Sequence, residues 1–349
     1  MQRTADEMPG SSRPRVDYLS LGGTIASVVE KGKPGATPSL SAAEIAAGVD
    51  GLREAADLRC DQFLRKPSPS IAFSDLLHLH GEMSRRIAEG ARGIVITQGT
   101  DTIEETAFAL DLLWDGDAPI VVSGAMRNAS LPGADGPANL LGAVRVAASD
   151  AARGLGVMVV LNDEIHAARF VHKSHASSPS AFRSDPVGPL GWIVENRPFV
   201  AARPVGRFHV SLPRDSKVPP VALVRLALGE DGRLLSVLPQ LGYAGAVIEG
   251  FGGGHVAAVT VGFLPDLVAK MPVVLASRTG AGEVLSSTYR FAGSEIELLE
   301  MGLMRAGALD GLKARILLSL CLAEGRSRAG IAEAFASAGM TSAPAMTTG

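Results

Sequence analysis

The chain has 349 residues, of which 46% are hydrophobic and only 5% aromatic, and its formal net charge is −3. That length asks for more than one core built from Ala, Val, Leu and Ile, and the near-neutral charge leaves no electrostatic footprint for a nucleic acid or a membrane surface. The two cysteines, Cys60 and Cys321, are far apart with no metal-like spacing; they read as buried thiols and suit a reducing, cytoplasmic compartment.

Met1 to Arg15 is polar, contains Pro and Gly, and has no apolar h-region, so it does not read as a signal peptide. No apolar run reaches the length of a membrane span. This stretch and Thr341 to Gly349 read as loosely ordered tails. Val16 to Leu21 reads as a short buried strand ended by Gly22-Gly23. Val28 to Leu40, with Gly32, Pro34, Gly35 and Pro38, predicts a mobile loop. Ser41 and Glu44 have capping-box spacing, so a helix starts there. Asp75 to Glu89 has helical apolar spacing, and Gly93 to Thr97 is a compact strand. Thr102 and Glu105 form a second capping box, followed by a helix over Ile103 to Trp114.

The pattern then repeats: a strand over Ala118 to Ser123, a helix over Pro137 to Ala152 and a strand over Val157 to Leu161. A long polar segment, Asn162 to Ser184, follows. Continuous apolar strands alternating with helices predict a parallel sheet covered on both faces. The pattern breaks at Pro213-Arg-Asp-Ser-Lys217 and Pro219-Pro220, which read as a linker. Beyond it, Val221 to Leu226, Ala246 to Glu249 and Val273 to Ser277 read as strands, and Leu312 to Glu324 and Ala329 to Ala338 as closing helices. The fold class is α/β: two α/β domains with mainly parallel sheets, a larger one over 15–212 and a smaller one over 220–340.

Two segments share one grammar: Leu21-Gly-Gly-Thr-Ile-Ala-Ser27 and Thr97-Gln-Gly-Thr-Asp-Thr102. Each follows a buried strand, and each places a threonine hydroxyl directly after glycine. Ligands of open α/β sheets bind at the carboxyl ends of the strands. A threonine hydroxyl is a weak nucleophile that needs a base or a nearby positive charge. Asp101 and Lys173 supply candidates, because a lysine desolvated in a pocket can serve as a base. Lys173 lies just past a third strand end, so three strand ends bring Thr24, Thr100 with Asp101, and Lys173 to one rim. Taken singly, each has a plain structural alternative. Threonine after glycine serves as a turn or cap, Asp101 complements a helix N-terminus, and Lys173 is a solvated loop residue. Together they point to a site.

Gly22-Gly-Thr-Ile-Ala26 and Gly99-Thr-Asp-Thr102 resemble the paired signature motifs of the bacterial-type L-asparaginases, a family that includes glutaminase-asparaginases. Val122-Ser-Gly-Ala-Met-Arg127, Ala134-Asp-Gly-Pro-Ala-Asn-Leu140, Leu161-Asn-Asp-Glu-Ile-His166, Lys173, Phe182 and Gly188-Pro-Leu-Gly191 are similar to that family's pattern in order. The resemblance implies that Thr24 attacks the side-chain amide of asparagine, that an acyl-enzyme forms and ammonia leaves, and that water then releases aspartate. It implies a relay of Thr100, Asp101 and Lys173, with Asp101 also holding the substrate's α-amino group. A main-chain N–H, with Ala125 the candidate, stabilises the oxyanion. No metal or organic cofactor is implied. Ser68, with Ser70 as competitor, is implied as the ligand of the α-carboxylate. The usual assembly implied is a tetramer, a dimer of intimate dimers in which the neighbour's C-terminal domain completes each site. Gly252-Gly-Gly-His255 and Arg278-Thr-Gly-Ala-Gly282 resemble the loops concerned, with His255 and Glu295 as cross-subunit candidates.

The chain departs from that pattern in three places. Most relatives carry a tyrosine in the mobile loop after the first motif, whereas the three tyrosines here are Tyr18, Tyr243 and Tyr289. The loop offers Lys31, Thr37 and Ser39 instead, and Tyr289 is a conceivable substitute from either subunit. Gln98 stands where relatives often have His. Pro69 stands where they often have a side chain that touches the substrate's amino group. The expected activity is therefore an L-asparaginase. The alternatives are a catalytically weakened amino-acid-binding or regulatory homologue, or an amidohydrolase with glutaminase or other amide specificity. A nucleotide-binding protein would need a Gly-x-Gly-x-x-Gly or Gly-x4-Gly-Lys-Ser/Thr turn, and the first segment fits neither. A serine-hydrolase elbow is also lacking.

Overall fold

A computed structural model describes residues 13–29 and 35–339. In chain order the first half contains β1 (Arg15–Ser20), a 3-10 turn (Thr24–Ala26), β2 (Ser27–Val29), β3 (Ala36–Pro38), α1 (Ala42–Ala47), α2 (Leu52–Ala55), β4 (Asp57–Gln62), α3 (Phe73–Ala88), β5 (Gly93–Thr97), α4 (Ile103–Leu113), β6 (Ile120–Ser123), α5 (Gly136–Ala148), β7 (Val157–Leu161), β8 (Glu164–Ala167), β9 (His172–Lys173), β10 (Phe182–Arg183), β11 (Gly191–Val194) and β12 (Arg197–Val200). The second half contains β13 (Val221–Arg225), α6 (Arg233–Val237), β14 (Gly245–Gly250), α7 (Ala258–Val261), α8 (Leu264–Lys270), β15 (Val273–Ser277), α9 (Glu295–Glu300), β16 (Met304–Arg305), α10 (Gly311–Ala323) and α11 (Arg328–Ala338).

Eight strands form one sheet in the order β12-β11-β8-β7-β6-β5-β1-β4, and four form a second in the order β13-β14-β15-β16. The second sheet is parallel throughout. In the first, β4, β1, β5, β6 and β7 run parallel. The architecture is thus two α/β domains, the N-terminal one larger. Both faces of the first sheet are covered, as the unbroken apolar strands require. Leu19, Ile94, Ile96, Val122 and Val159 pack into one core, while their neighbours Tyr18, Val95, Val121, Met158 and Val160 pack into another. That alternation is the two-residue period of a strand. The first core runs on into Val247, Val274 and Leu317 of the second half, so α10 lies against α4 and joins the two sheets.

Several expectations are corrected by the structure. The polar segment 162–184 carries three short strands, β8, β9 and β10. Asn162 and Asp163 both adopt positive φ, 52° and 60°, the turn that suits a two-residue hairpin. The chain therefore reverses into β8, antiparallel to β7. A second such turn at Glu195-Asn196 makes the β11–β12 hairpin. Lys173 consequently arrives on the short antiparallel β9–β10 ribbon rather than at a third parallel strand end. The expected helix 137–152 stops at Ala148, because Ser149 turns extended and caps a separate 3-10 turn over Asp150–Ala152. Part of the expected mobile loop is ordered: β2 and β3 pair as a hairpin, and Lys31 lies outside the described residues. The Ser41–Glu44 capping box forms as expected. No described helix is long and apolar enough to cross a membrane.

Candidate active site

β1 and β5 are adjacent and parallel, with Ser20 level with Thr97. Their following loops therefore start side by side, although 76 positions separate the two motif threonines, Thr24 and Thr100. The glycines allow the two backbones to touch. Gly23 has φ 90°, and a Cβ on it would lie 2.1 Å from the Gly99 nitrogen. A Cβ on Gly99 would lie 2.8 Å from Ser68 Oγ. Three segments distant in sequence thus meet where no side chain fits between them. Gly23→Ala is expected to lower the melting temperature by roughly 10 °C, since the methyl meets backbone at a strained φ. A thermal melt unchanged from wild type would refute this account of the contact.

Lys173 joins the group from β9. Its Nζ donates to Asp101 Oδ1 at 2.7 Å and to Thr100 Oγ1 at 3.0 Å. Thr100 is buried, the Lys173 side chain is 13% exposed, and the Asp101 side chain is 65% exposed. The pair therefore presents an open carboxylate on one side and a sheltered amine–hydroxyl contact on the other. The Thr24 hydroxyl makes no hydrogen bond among the described residues. It stands free at the start of its 3-10 turn.

Past β6, the buried Ala125 presents a main-chain N–H that finds no acceptor among the described residues. This loop is held from behind. Asp135 accepts from the N–H groups of Met126 and Arg127 at 2.9 and 2.8 Å, and Asn139 Nδ2 donates to the Gly124 carbonyl at 3.0 Å. Asn139 Oδ1 also accepts from Asn162 N–H at 2.9 Å, tying the end of β6 to the end of β7. A Cβ on Gly136 would lie 2.9 Å from Ile25 and 3.4 Å from Ala125, so this loop packs against the first motif.

Ser68 is 2% exposed and lies against Gly99, whereas Ser70 is exposed. A relay of hydrogen bonds fixes this segment. Thr102 Oγ1 donates to the Ser68 carbonyl at 3.1 Å and accepts from Gln98 Nε2 at 3.2 Å. This is why the second expected capping box does not form: the Thr102 hydroxyl is turned to Ser68, and α4 begins without a side-chain cap. Gln98 is fully buried, and its Oε1 has no partner among the described residues.

Glu295 lies elsewhere in the chain, at the start of α9. Its Oε1 accepts from the N–H groups of Thr288 and Tyr289 at 2.8 and 2.7 Å, and its Oε2 lies 3.1 Å from His255 Nε2. Burial opposes its ionisation, but these donors outweigh burial and hold the carboxyl below its ordinary value. With 0% exposure, Glu295 has no open face for a substrate in the single chain. Its contacts in the chain are with His255 and with the main chain of Thr288 and Tyr289. The Tyr289 ring stands edge-on to His255 with centroids 5.3 Å apart and is half exposed.

Sequence reasoning missed Asn139, the Gln98–Thr102–Ser68 relay, and Glu104, whose Oε1 accepts the Lys173 main-chain N–H at 3.2 Å. Asn139 sits within a segment that had already been singled out, while Glu104 carried only a helix-start signal. Among the described residues no group of His, Cys, Asp and Glu is placed to hold a metal ion.

Comparison with known proteins bears on the whole chain. Residues 15–206 match the family described as Asparaginase, N-terminal, and residues 220–335 match the Glutaminase/Asparaginase C-terminal domain. The chain is 36% identical over 336 residues to a probable L-asparaginase of Deinococcus radiodurans, covering 93% of this chain and 98% of that one. It is 33% identical over 311 residues to an L-asparaginase of Bacillus licheniformis, covering 88% and 95%. A glutaminase-asparaginase of Pseudomonas fluorescens biotype A is 37% identical over 280 residues, covering 76% of each chain. Among solved structures, a probable cytoplasmic L-asparaginase from Campylobacter jejuni superposes with a TM-score of 0.85 at 31% identity, covering 93% of this chain and all of that one.

Proposed function

The chain belongs to the asparaginase family, and from that membership we propose that it is an L-asparaginase in which Thr24 is the nucleophile. The observation that carries the residue assignment is the division of labour between the two motif threonines. Thr100 is occupied by Lys173, while the Thr24 hydroxyl, next to the Gly23–Gly99 contact, has no hydrogen-bond partner among the described residues. Thr24 Oγ attacks the side-chain carboxamide carbon of L-asparagine. The carbonyl oxygen becomes an oxyanion that accepts from the unpaired Ala125 N–H. The hydroxyl proton passes by way of Thr100 to Lys173 Nζ and on to the leaving nitrogen. Ammonia departs and an aspartyl ester remains on Thr24. Water adds to that ester by the same route and frees L-aspartate and the hydroxyl. The exposed Asp101 carboxylate fits the substrate's α-ammonium as well as the lysine. The route asks for neither a metal nor an organic cofactor.

The α-carboxylate is assigned to Ser68, whose buried hydroxyl faces Gly99. Ser68→Ala is expected to raise KM for L-asparagine about tenfold, the loss of one hydrogen bond to a charged group, and Ser70→Ala to leave KM unchanged. The reverse result would assign the carboxylate to Ser70. We assign the working form to the cytoplasm, in line with the C. jejuni neighbour, and to a dimer of intimate dimers. In that assembly the His255–Tyr289–Glu295 cluster faces a neighbour's site.

The test is ammonia release from L-asparagine and L-glutamine by the purified protein. Release from asparagine supports the reading. Release from glutamine at a comparable rate would extend it to the double specificity named for the P. fluorescens relative. Release from neither, by a folded protein, would turn the weight to an amino-acid-binding homologue.

A further inference from the structure

Lys173 is held at two points. Its amine reaches Thr100 and Asp101, and its main-chain N–H is taken by Glu104 Oε1. The other carboxylate oxygen of Glu104 faces Lys313 Nζ at 3.8 Å. Lys313, in the first turn of α10, is 1% exposed. Its Nζ also donates to Asp310 Oδ2 at 2.5 Å, and Asp310 Oδ1 accepts the Lys313 main-chain N–H at 2.9 Å as the cap of α10. Glu104 belongs to the first turn of α4 and Lys313 to the helix that closes the second sheet. A charge pair therefore bridges the two domains directly behind the relay lysine.

Burying such a pair costs desolvation, and well-packed apolar side chains would hold α4 on α10 at least as well. Glu104 shares a cleft with His172, Lys173, Glu249 and Asp310, so several charged groups stand near the contact. What the charge pair adds is direction. It fixes where the Glu104 carboxylate points, and so fixes the peptide that carries Lys173.

We propose that Glu104 and Lys313 are positioning residues for Lys173: the buried interdomain pair sets the Lys173 backbone so that its amine meets Thr100. The placement rests on Lys173 being the relay base of the proposed reaction. It makes docking of the C-terminal domain a condition for an aligned amine in the N-terminal one.

The test uses the full chain and four proteins: wild type, Lys313→Met, Lys313→Arg, and the double variant Glu104→Gln with Lys313→Met. The double variant removes both members of the interdomain pair and keeps an amide oxygen for the Lys173 N–H, while Asp310, whose side chain is 18% exposed, still caps α10, so it carries the test if Lys313→Met does not fold. Two readouts are taken. The first is kcat and KM for ammonia release from L-asparagine. The second is the acetylation rate of Lys173 by an N-hydroxysuccinimide ester, followed by peptide mass spectrometry with Lys66 and Lys270 as internal references. Loss of alignment is expected to lower kcat about tenfold to a hundredfold with KM within about twofold. Lys173 acetylation should shift several-fold while the reference lysines stay constant, and Lys313→Arg should restore both readouts. Unchanged kcat and unchanged Lys173 reactivity in a folded variant lacking Lys313 would overturn the proposal, as would an Arg variant no better than Met. A shift in Lys173 reactivity in a protein whose wild type releases no ammonia would support the positioning and sink the asparaginase reading instead.

Discussion

Thr24→Ala is expected to abolish ammonia release from L-asparagine, by about 10⁴-fold or more, while the protein stays folded. The chain offers two motif threonines, and they are not equivalent. Thr100 lies 3.0 Å from Lys173 Nζ and is buried. The Thr24 hydroxyl is unbound at the start of a 3-10 turn and lies on the loop that packs against Ala125 and Gly136. Removing it takes away the proposed nucleophile but no hydrogen bond among the described residues, so the melting temperature should be essentially that of wild type. Thr24→Ser keeps the hydroxyl and should keep part of the activity. Mass spectrometry of protein quenched during turnover gives the direct check. An aspartyl adduct on the peptide carrying Thr24 supports the assignment, and an adduct on the peptide carrying Thr100 would reverse the two roles.

Lys173→Met is expected to cost about 10²- to 10⁴-fold in kcat, the range for a positioned proton-transfer group. The same change should hardly affect stability. The Lys173–Asp101 pair faces solvent on the aspartate side, with that side chain 65% exposed, and pairs of that kind contribute about 0–1 kcal/mol. A large loss of rate with an unmoved thermal transition is therefore the signature of a relay group. A large fall in melting temperature with modest loss of rate would mark Lys173 as a structural tie instead. Measuring kcat and thermal unfolding on the same preparation separates the two.

Much of the fold can be read along the chain, because each parallel strand is an unbroken apolar run. Gly93–Thr97, Val157–Leu161 and Val273–Ser277 have the bounds that their composition predicts. The strands that escape are those whose signal is shared with solvent. β4, Asp57–Gln62, lies at the sheet edge and alternates exposed and half-buried residues without an apolar run. β8, β11 and β12 depend on two-residue turns at Asn162-Asp163 and Glu195-Asn196. Their left-handed backbone is set by the strands that meet there as much as by residue type.

The site divides in the same way. The sequence by itself determined which residue types stand after the glycines: Thr24, Thr100 with Asp101, and a lysine in a chain that prefers arginine. Local chemistry marks these, because glycine followed by a hydroxyl at a strand end is visible over a few positions. Only the tertiary structure decided which of them touch and what holds them. Adjacency of β1 and β5 put Gly23 against Gly99. The Thr102 hydroxyl went to Ser68 rather than to its own helix. Glu104, which looked like part of a helix start, took the Lys173 backbone and paired with Lys313 of the other domain. Such contacts join residues up to about two hundred positions apart. They arise from strand order and helix packing, which no short stretch of sequence encodes.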